Sequence, residues 1–383
     1  MVIAVVLIAI VVGSVLFHVA SPWWTTPLAS NWEDMDDTLT ITLVITGVFF
    51  VVINLLLAYT VLRYRHRPGR RADYAPENRR LERWLIGVTT VGIVGLLAPG
   101  LVVYASYVKP PQDALVVEVL GRQWQWFFRI PDAEGKLGPT DARFVDASNP
   151  FGLDPKHPAS QDDLLVSGGT VKLPVGRPVK MLLRSHDVLH DFYVPQFRAR
   201  MNMVPGMVTT FWFTPTETGR FEILCAQLCG VGHSNMRGVV EVVDEGEFQA
   251  WLQTLPTFAK LREPAPAVAA ADAGAAAPGD DLVARGQALA QAKGCTACHT
   301  VDGSTGVGPT WKGLFGKTET FTDGSTALVD EEFLRGFILD PQARNVKGFP
   351  PVMPKIELTD AELSALVAYI KSLGGDAAPT AQR

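Results

Sequence analysis

The first hundred residues fall into three long apolar runs separated by polar stretches. Val2 to Ala20, Thr38 to Leu62 and Trp84 to Tyr107 carry no formal charge. Each is near or above the roughly 20 residues that a helix needs to cross a bilayer core. The second and third predict a transmembrane helical hairpin over 38–108. The first, 1–21, predicts another transmembrane helix rather than a removed signal segment. MVIAVV has no basic residue, and Ala20, with His18 two positions before it, is a poor cleavage match.

The pattern changes after Tyr107. VVEVLGRQWQWFFRI, GTVKLPVGRPVKMLLRS, MVTTFWFTP and GRFEILC are rich in β-branched and aromatic residues and are bounded by turns such as PVGRP and TETGR. They predict an antiparallel sandwich or barrel of about seven short strands over 112–255. A stretch at 131–168, rich in Pro, Asp and Gly, interrupts it as a long insertion. EPAPAVAAADAGAAAPG has almost nothing to bury and predicts a semi-flexible linker within 256–280. Helical periodicity returns in LTDAELSALVAYIKSL, which opens with a Thr359/Glu362 capping box. It sets Leu363, Leu366, Val367, Ile370 and Leu373 on one face. That unit covers 281–374, and 375–383 forms a tail.

Charge orients the chain. Arg63 to Arg83 holds eight arginines against three acids, whereas the loop SPWWTTPLASNWEDMDD has no basic residue. The arginine loop is therefore cytoplasmic, and everything after Tyr107 lies on the opposite side. Retention or removal of the first segment leaves this topology unchanged. Membrane lipid, not nucleic acid, is the partner these arginines imply, because apolar segments flank them on both sides. The net charge of −5 over 383 residues gives no global argument for nucleic acid either.

The chain has only four cysteines, and all four sit in chemically suggestive company. Cys295-Thr296-Ala297-Cys298-His299 is C-x-x-C-H, which offers two thiols for thioether bonds to haem c and an imidazole for the iron. Met353, in GFPPVMP, is the only methionine after that motif and the candidate sixth ligand. A methionine opposite a histidine raises a cytochrome's potential. Cys225, Cys229, His233 and Met236 crowd into CAQLCGVGHSNM. A disulfide there leaves His233 and Met236 unexplained. Zinc has no use for a thioether. Copper takes thiolate, imidazole and thioether together, and SHDVLHDFYVPQF upstream supplies a further imidazole from His186 or His190.

Two resemblances follow. GCTACHT, VGPTWKGLFG, PPVMP and the last helix occur in the order of a class I cytochrome c. Ser185-His186-Asp187-Val188-Leu189-His190 and Cys225 through Met236 resemble the S-x-D-V-x-H and C-x-[EQ]-x-C-x-x-x-H-x-x-M signatures of cytochrome c oxidase subunit II. The resemblance spans roughly 38–255, including GRQWQWFF, and implies a cupredoxin-like domain. It makes His190, Cys225, the backbone carbonyl of Gln227, Cys229, His233 and Met236 the ligands of a binuclear copper centre, CuA. His186 stands at an open position of the signature and is not expected to bind. The same resemblance makes Trp124 the electron entry point and Glu82 a residue at the mouth of a proton pathway, although the Trp after Glu82 comes one position early. Many relatives hold magnesium at the subunit I interface with a glutamate where Gln227 stands, and a neutral amide is a poorer magnesium ligand.

The implied fold is a multi-domain membrane protein: transmembrane helices, an all-β cupredoxin-like barrel and an all-α cytochrome c domain. The implied function is electron entry into a bacterial respiratory oxidase in the inner membrane. Electrons would pass from covalent haem c to CuA and on to haem in subunit I, where dioxygen is reduced and protons are translocated. Subunit I, subunit III and an external cytochrome c or cytochrome bc complex are the expected partners. The chain has no cluster of intramembrane histidines, so the dioxygen site must lie in a partner. A nitric oxide reductase with a CuA subunit, or a stand-alone membrane-anchored carrier, would share the same loop. A quinol oxidase subunit II lacks the copper ligands.

Overall fold

A computed structural model describes residues 1–20, 26–71, 74, 76–131, 135–146, 149–166, 169–262, 280–304, 306–356 and 358–374. Of the linker expected over 256–280, residues 263–279 lie outside the described residues, as does the C-terminal tail, but Phe258–Arg262 is helical and buries Phe258 against the β domain, so the expected boundary at 255 falls too early. The chain divides into two compact units, Met1–Pro111 with Gln196–Arg198, and Gln112–Pro195 with Ala199–Arg383.

The first unit holds α1 (Val2–Ala20), α2 (Glu33–Arg63) and α3 (Arg79–Tyr107). All three are long and apolar enough to cross a membrane. The apolar runs seed these helices, but α2 and α3 also extend into the polar flanks. Three acids occupy the first turn of α2 and Arg63 its last turn, favouring both ends of the helix dipole. Asn78 caps α3 by accepting the Leu81 N–H. Along α2 and α3, side chains such as Leu43, Phe49, Leu56, Ile86 and Leu97 are exposed. In water such a surface would be strongly unfavourable, whereas in hydrocarbon it needs no cover.

The second unit begins with ten strands rather than about seven. They are β1 (Leu115–Arg122), β2 (Gln125–Ile130), β3 (Leu164–Val166), β4 (Thr170–Pro174), β5 (Val179–Ser185), β6 (His190–Val194), β7 (Ala199–Met203), β8 (Thr209–Phe213), β9 (Gly219–Cys225) and β10 (Arg237–Val243). They form two five-stranded sheets, ordered β3-β2-β1-β5-β8 and β4-β10-β9-β6-β7. Neither is purely antiparallel, because β1 runs parallel to β5 and β10 parallel to β4. The extra strands are three to five residues long, too short to show a period in sequence.

Alternation places Val179, Met181 and Leu183 of β5 inward, together with Phe211 and Phe213 of β8 and Phe192, Ile223 and Val240 from the second sheet. Strand β1 departs from alternation and is buried on both faces. The insertion is the reason. Its Phe151 and Leu153 pack with Leu120, Leu165 and Phe258, forming a small second core on the outer face of the first sheet. Each fully buried aromatic there stabilises by about 1.5–3 kcal/mol. Beneath it Arg129 of β2 donates to Glu118 of β1 (2.5 Å) and to Asp163 (2.7 Å). The insertion thus contributes β3 and a short helix, α4 (Pro158–Gln161), and caps the sheet. Two further helices, α5 (Glu245–Leu252) and α6 (Phe258–Arg262), follow β10.

The C-terminal part contains α7 (Asp280–Ala292), a small hairpin of β11 (Thr318–Thr320) and β12 (Thr326–Leu328), α8 (Glu331–Leu339) and α9 (Asp360–Ser372). The capping box of α9 is complete: Thr359 accepts the Glu362 N–H, and the Glu362 carboxylate accepts the Thr359 N–H. Leu363, Leu366, Val367 and Ile370 are buried against Trp311, Val329 and Leu334, while Leu373 is half-buried at the edge of that core.

Candidate metal and haem centres

Four sequence segments converge at one end of the β domain. His190 opens β6, Cys225 closes β9, Cys229 and His233 lie in the connecting loop, and Met236 directly precedes β10. β6 pairs with β9 so that Phe192 stands opposite Cys225, which brings the imidazole of His190 beside the thiols. His190 and Met236 are fully buried, and Cys225 and Cys229 nearly so. Cys225 Sγ is 3.7 Å from Cys229 Sγ and 4.0 Å from His190 Nδ1. Cys229 Sγ is 3.6 Å from His233 Nδ1 and 3.9 Å from Met236 Sδ. The Gln227 carbonyl accepts from Cys225 at 3.2 Å.

All six expected donors therefore come together. The thiols are free, well beyond the roughly 2.05 Å of a disulfide. His186 is exposed and outside the cluster.

The two thiols sit in different electrostatic surroundings even before a metal enters. The sulfur–sulfur contact with Cys229, followed by the contact with His190, holds the Cys225 thiol well below its ordinary range although burial opposes this. The same contact and burial push Cys229 up. Burial disfavours a charged His190, but Asp187 and Cys225 outweigh it and raise its pKa.

Of the residues behind the donors, Asp187 and Gln123 had no role assigned from the sequence, whereas Trp124 was the expected electron entry point. Asp187 Oδ1 lies 2.7 Å from His190 Nε2, leaving Nδ1 toward the sulfurs. Asp187 also accepts the backbone N–H of Gln123 at 2.7 Å. Gln123 Nε2 (2.8 Å) and Trp124 Nε1 (3.2 Å) both donate to the Cys229 carbonyl. The Trp124 indole lies so close to Gly232 that a Cβ there would overlap it, and Gly230 borders its outer edge. A carboxylate behind a histidine ligand fixes ring orientation and raises ligand basicity. The S-x-D-V-x-H pattern contained both Asp187 and His190, but only the fold brings the Gln123 N–H of the β1–β2 turn to Asp187.

Cys295, Cys298, His299 and Met353 line a single cavity with Trp311, Phe333, Val346, Ile356 and Leu366. His299 Nδ1 hydrogen-bonds the Pro309 carbonyl at 2.8 Å, leaving Nε2 available. Burial lowers the His299 pKa and keeps the ring neutral, the form that binds metal. Burial also pushes Cys295 up to about 11. Gln342 donates to the Met353 carbonyl at 3.0 Å, pinning the loop that carries the thioether. Trp124 and Gln125 of the β domain line the same cavity.

Glu82 sits in the first turn of α3, exposed, with its carboxylate 3.3 Å from the Asn78 N–H. It completes the cap there, which is an ordinary helix-terminus role.

The chain matches two family models, "Cytochrome C oxidase subunit II, periplasmic domain" over 115–243 and "Cytochrome c" over 283–374. It is 53% identical over 261 residues to the alternative cytochrome c oxidase subunit 2 of Bradyrhizobium diazoefficiens, covering 68% of this chain and 94% of that relative. The chain belongs to the cytochrome c oxidase subunit II family. It is 24% identical over 348 residues to the cytochrome c oxidase subunit 2 of Alkalihalophilus pseudofirmus, covering 88% of this chain and 86% of that one. The crystal structure of the periplasmic domain of cytochrome oxidase subunit II from Bradyrhizobium japonicum is similar over 38% of this chain and 96% of that one, with 27% identity and a TM-score of 0.29.

As a subunit II with a cytochrome c domain, the chain is a component of a cytochrome c oxidase and carries copper and haem. The copper-binding half belongs on the periplasmic side, and the three apolar helices form its membrane anchor. The donor sets fit both groups. Two buried thiols, two imidazoles, a thioether and a carbonyl make a soft copper pocket. An apolar cavity with two thiols, an imidazole and a thioether suits haem c.

Proposed function

We propose that this chain is the electron-entry subunit of a bacterial haem–copper oxidase, fed by its own fused cytochrome. Covalent haem c would supply one-electron exchange at His299 and Met353. A binuclear CuA would be held by His190, Cys225, the Gln227 carbonyl, Cys229, His233 and Met236. A copper pair held by these residues would supply one-electron exchange with the charge shared over both metals, which would keep reorganisation small.

A single observation carries this reading: Trp124 hydrogen-bonds the Cys229 carbonyl and lines the cavity of Cys298, His299 and Met353. One indole thus borders both centres, which supports Trp124 as the bridge between them. The onward acceptor is haem in subunit I, where dioxygen becomes water and protons are translocated. Subunit III, membrane lipid and an external cytochrome c or cytochrome bc donor complete the assembly. Gln227 offers copper its backbone carbonyl, but its neutral side chain is poorly suited to a magnesium ion at the subunit I interface.

The decisive measurement is the electron paramagnetic resonance spectrum of the purified oxidase. One electron shared over two equivalent copper nuclei is expected. A single-nucleus blue-copper spectrum, or zinc held in preference, would overturn the copper assignment.

A further inference from the structure

The β1–β2 tip faces two ways. Gln123 and Trp124 grip the copper loop through the Cys229 carbonyl. On that side Trp124 is already in close contact with Gly232, so it has no room to move inward. The next residue, Gln125, engages the cytochrome instead. Gly294, directly before the first haem cysteine, has φ +72°. A Cβ at Gly294 would fall within the Gln125 side-chain amide. The amide therefore occupies a notch that exists only because residue 294 has no side chain.

We infer that Gln125 is a positioning residue for haem-to-copper transfer, with its amide seated in the Gly294 notch so that the haem cavity opens on Trp124. This inference rests on the fused cytochrome being the donor. The Gln125 amide fits a haem loop with glycine before C-x-x-C-H and clashes with one that carries a side chain there. Steric exclusion of this kind separates partners that electrostatics alone would not distinguish. The notch would thus favour the tethered cytochrome over soluble ones and fix its register on the tip. Two neighbouring amides divide the labour, with Gln123 on the copper loop and Gln125 on the haem loop.

The test uses the full chain in its assembled oxidase. Gly294→Asn adds a side chain while tolerating the left-handed conformation that most residues resist. Two quantities are measured: haem-to-copper electron transfer after flash reduction of the haem, and deuterium uptake at residues 121–127 and 292–299. Transfer should slow by about tenfold, the loss produced when a side chain wedges open a contact of about 1.4 kcal/mol. Uptake at the tip should rise, with the haem and copper spectra unchanged. Adding Gln125→Ala should then restore both quantities, because it removes the group that clashes.

Parental rate and uptake in Gly294→Asn would overturn the inference, as would a defect that Gln125→Ala fails to rescue. If the unaltered chain, loaded with both groups, passes no electron from haem to copper, the fused cytochrome is not the donor. In that case the uptake measurement still decides whether Gln125 seats in the notch.

Discussion

Cys225–Met236 and Cys295–His299 each place two thiols and an imidazole in a short loop, yet they complete their donor sets differently. The copper loop lies across paired strands. β9 and β6 set Cys225 beside His190, and Asp187 holds the imidazole from behind. The proposed haem donor set draws on a distant residue, Met353, 54 positions after His299 (353 − 299) on a loop pinned through Gln342. Their surroundings differ too. The copper domain buries Glu118, Arg129, Asp163, His190 and Asp191, whereas among the described residues of the cytochrome domain only Glu319 is a buried charged group. A copper site can be built from polar networks within a rigid sandwich. A haem site must keep an apolar cavity and relies on covalent attachment and two axial ligands.

The largest effect should come from breaking the copper cluster at its centre. Cys225 approaches His190, Cys229 and the Gln227 carbonyl at once. Cys225→Ser should abolish copper binding while the haem stays attached through Cys295 and Cys298. His186→Ala, outside the cluster, should leave copper intact. Copper-to-haem stoichiometry in the purified chain checks both, and a copper-loaded Cys225→Ser protein would sink the assignment.

Severing the linker comes next. From composition, the 17 residues of EPAPAVAAADAGAAAPG are expected to act as a spacer with a reach of roughly 20–25 Å. Such a tether sets an effective concentration on the order of millimolar. In the intact chain, haem-to-copper transfer should be first order and only mildly salt-sensitive. After proteolytic cleavage within 263–279 it should become second order and salt-dependent. At micromolar protein it should then slow by about a thousandfold. Equal rates before and after cleavage would mean that another cytochrome feeds the copper.

A smaller effect is expected behind the copper ligands. Asp187→Asn keeps the shape but weakens the bond to His190 Nε2 and the grip on the Gln123 N–H. Copper affinity should fall by about 10–100-fold. Competition against a chelator of known affinity measures this. An unchanged affinity would leave Asp187 with a purely structural role in the β1–β2 tip.

How much of this was legible in the sequence also differs between the two regions. The candidate ligand types and spacings in CAQLCGVGHSNM and CTACH lie within short local segments, so local sequence was enough to propose them. The capping box at Thr359 and the buried face of α9 were legible for the same reason. Asp187 was visible as a letter in a motif, but Gln123, whose N–H it accepts, lies 64 positions away across the fold. Strands β3, β6 and β7 were too short to show alternation, so the domain has ten strands where about seven were expected. The insertion at 131–168 hid its role most completely. Phe151 and Leu153 follow no period, and only their packing against Leu120 and Phe258 explains them.

The smallest effect tests the contrast in buried charge. Asp163 is fully buried: its Oδ2 accepts from Arg129 (2.7 Å) and the Gly138 N–H (3.1 Å), while Oδ1 has no partner. Burial pushes its carboxyl up to about 6, with Glu118 adding to the shift and Arg129 opposing it. In the unfolded chain an aspartate titrates near 3.9. Between these values the folded state holds more protons than the unfolded state, so stability falls as pH rises through that window. The loss is complete above the folded pKa and is recovered on acidification toward pH 4. A shift of this size corresponds to about 1–3 kcal/mol. Calorimetry of the solubilised protein should therefore show the copper-domain transition moving to lower temperature as pH rises from 5 to 7. The cytochrome transition should move less. Asp163→Asn cannot ionise, so it should flatten the copper-domain trend. If the trend persists unchanged in that variant, the pH response arises elsewhere in the domain and the buried Arg129 network is not its source.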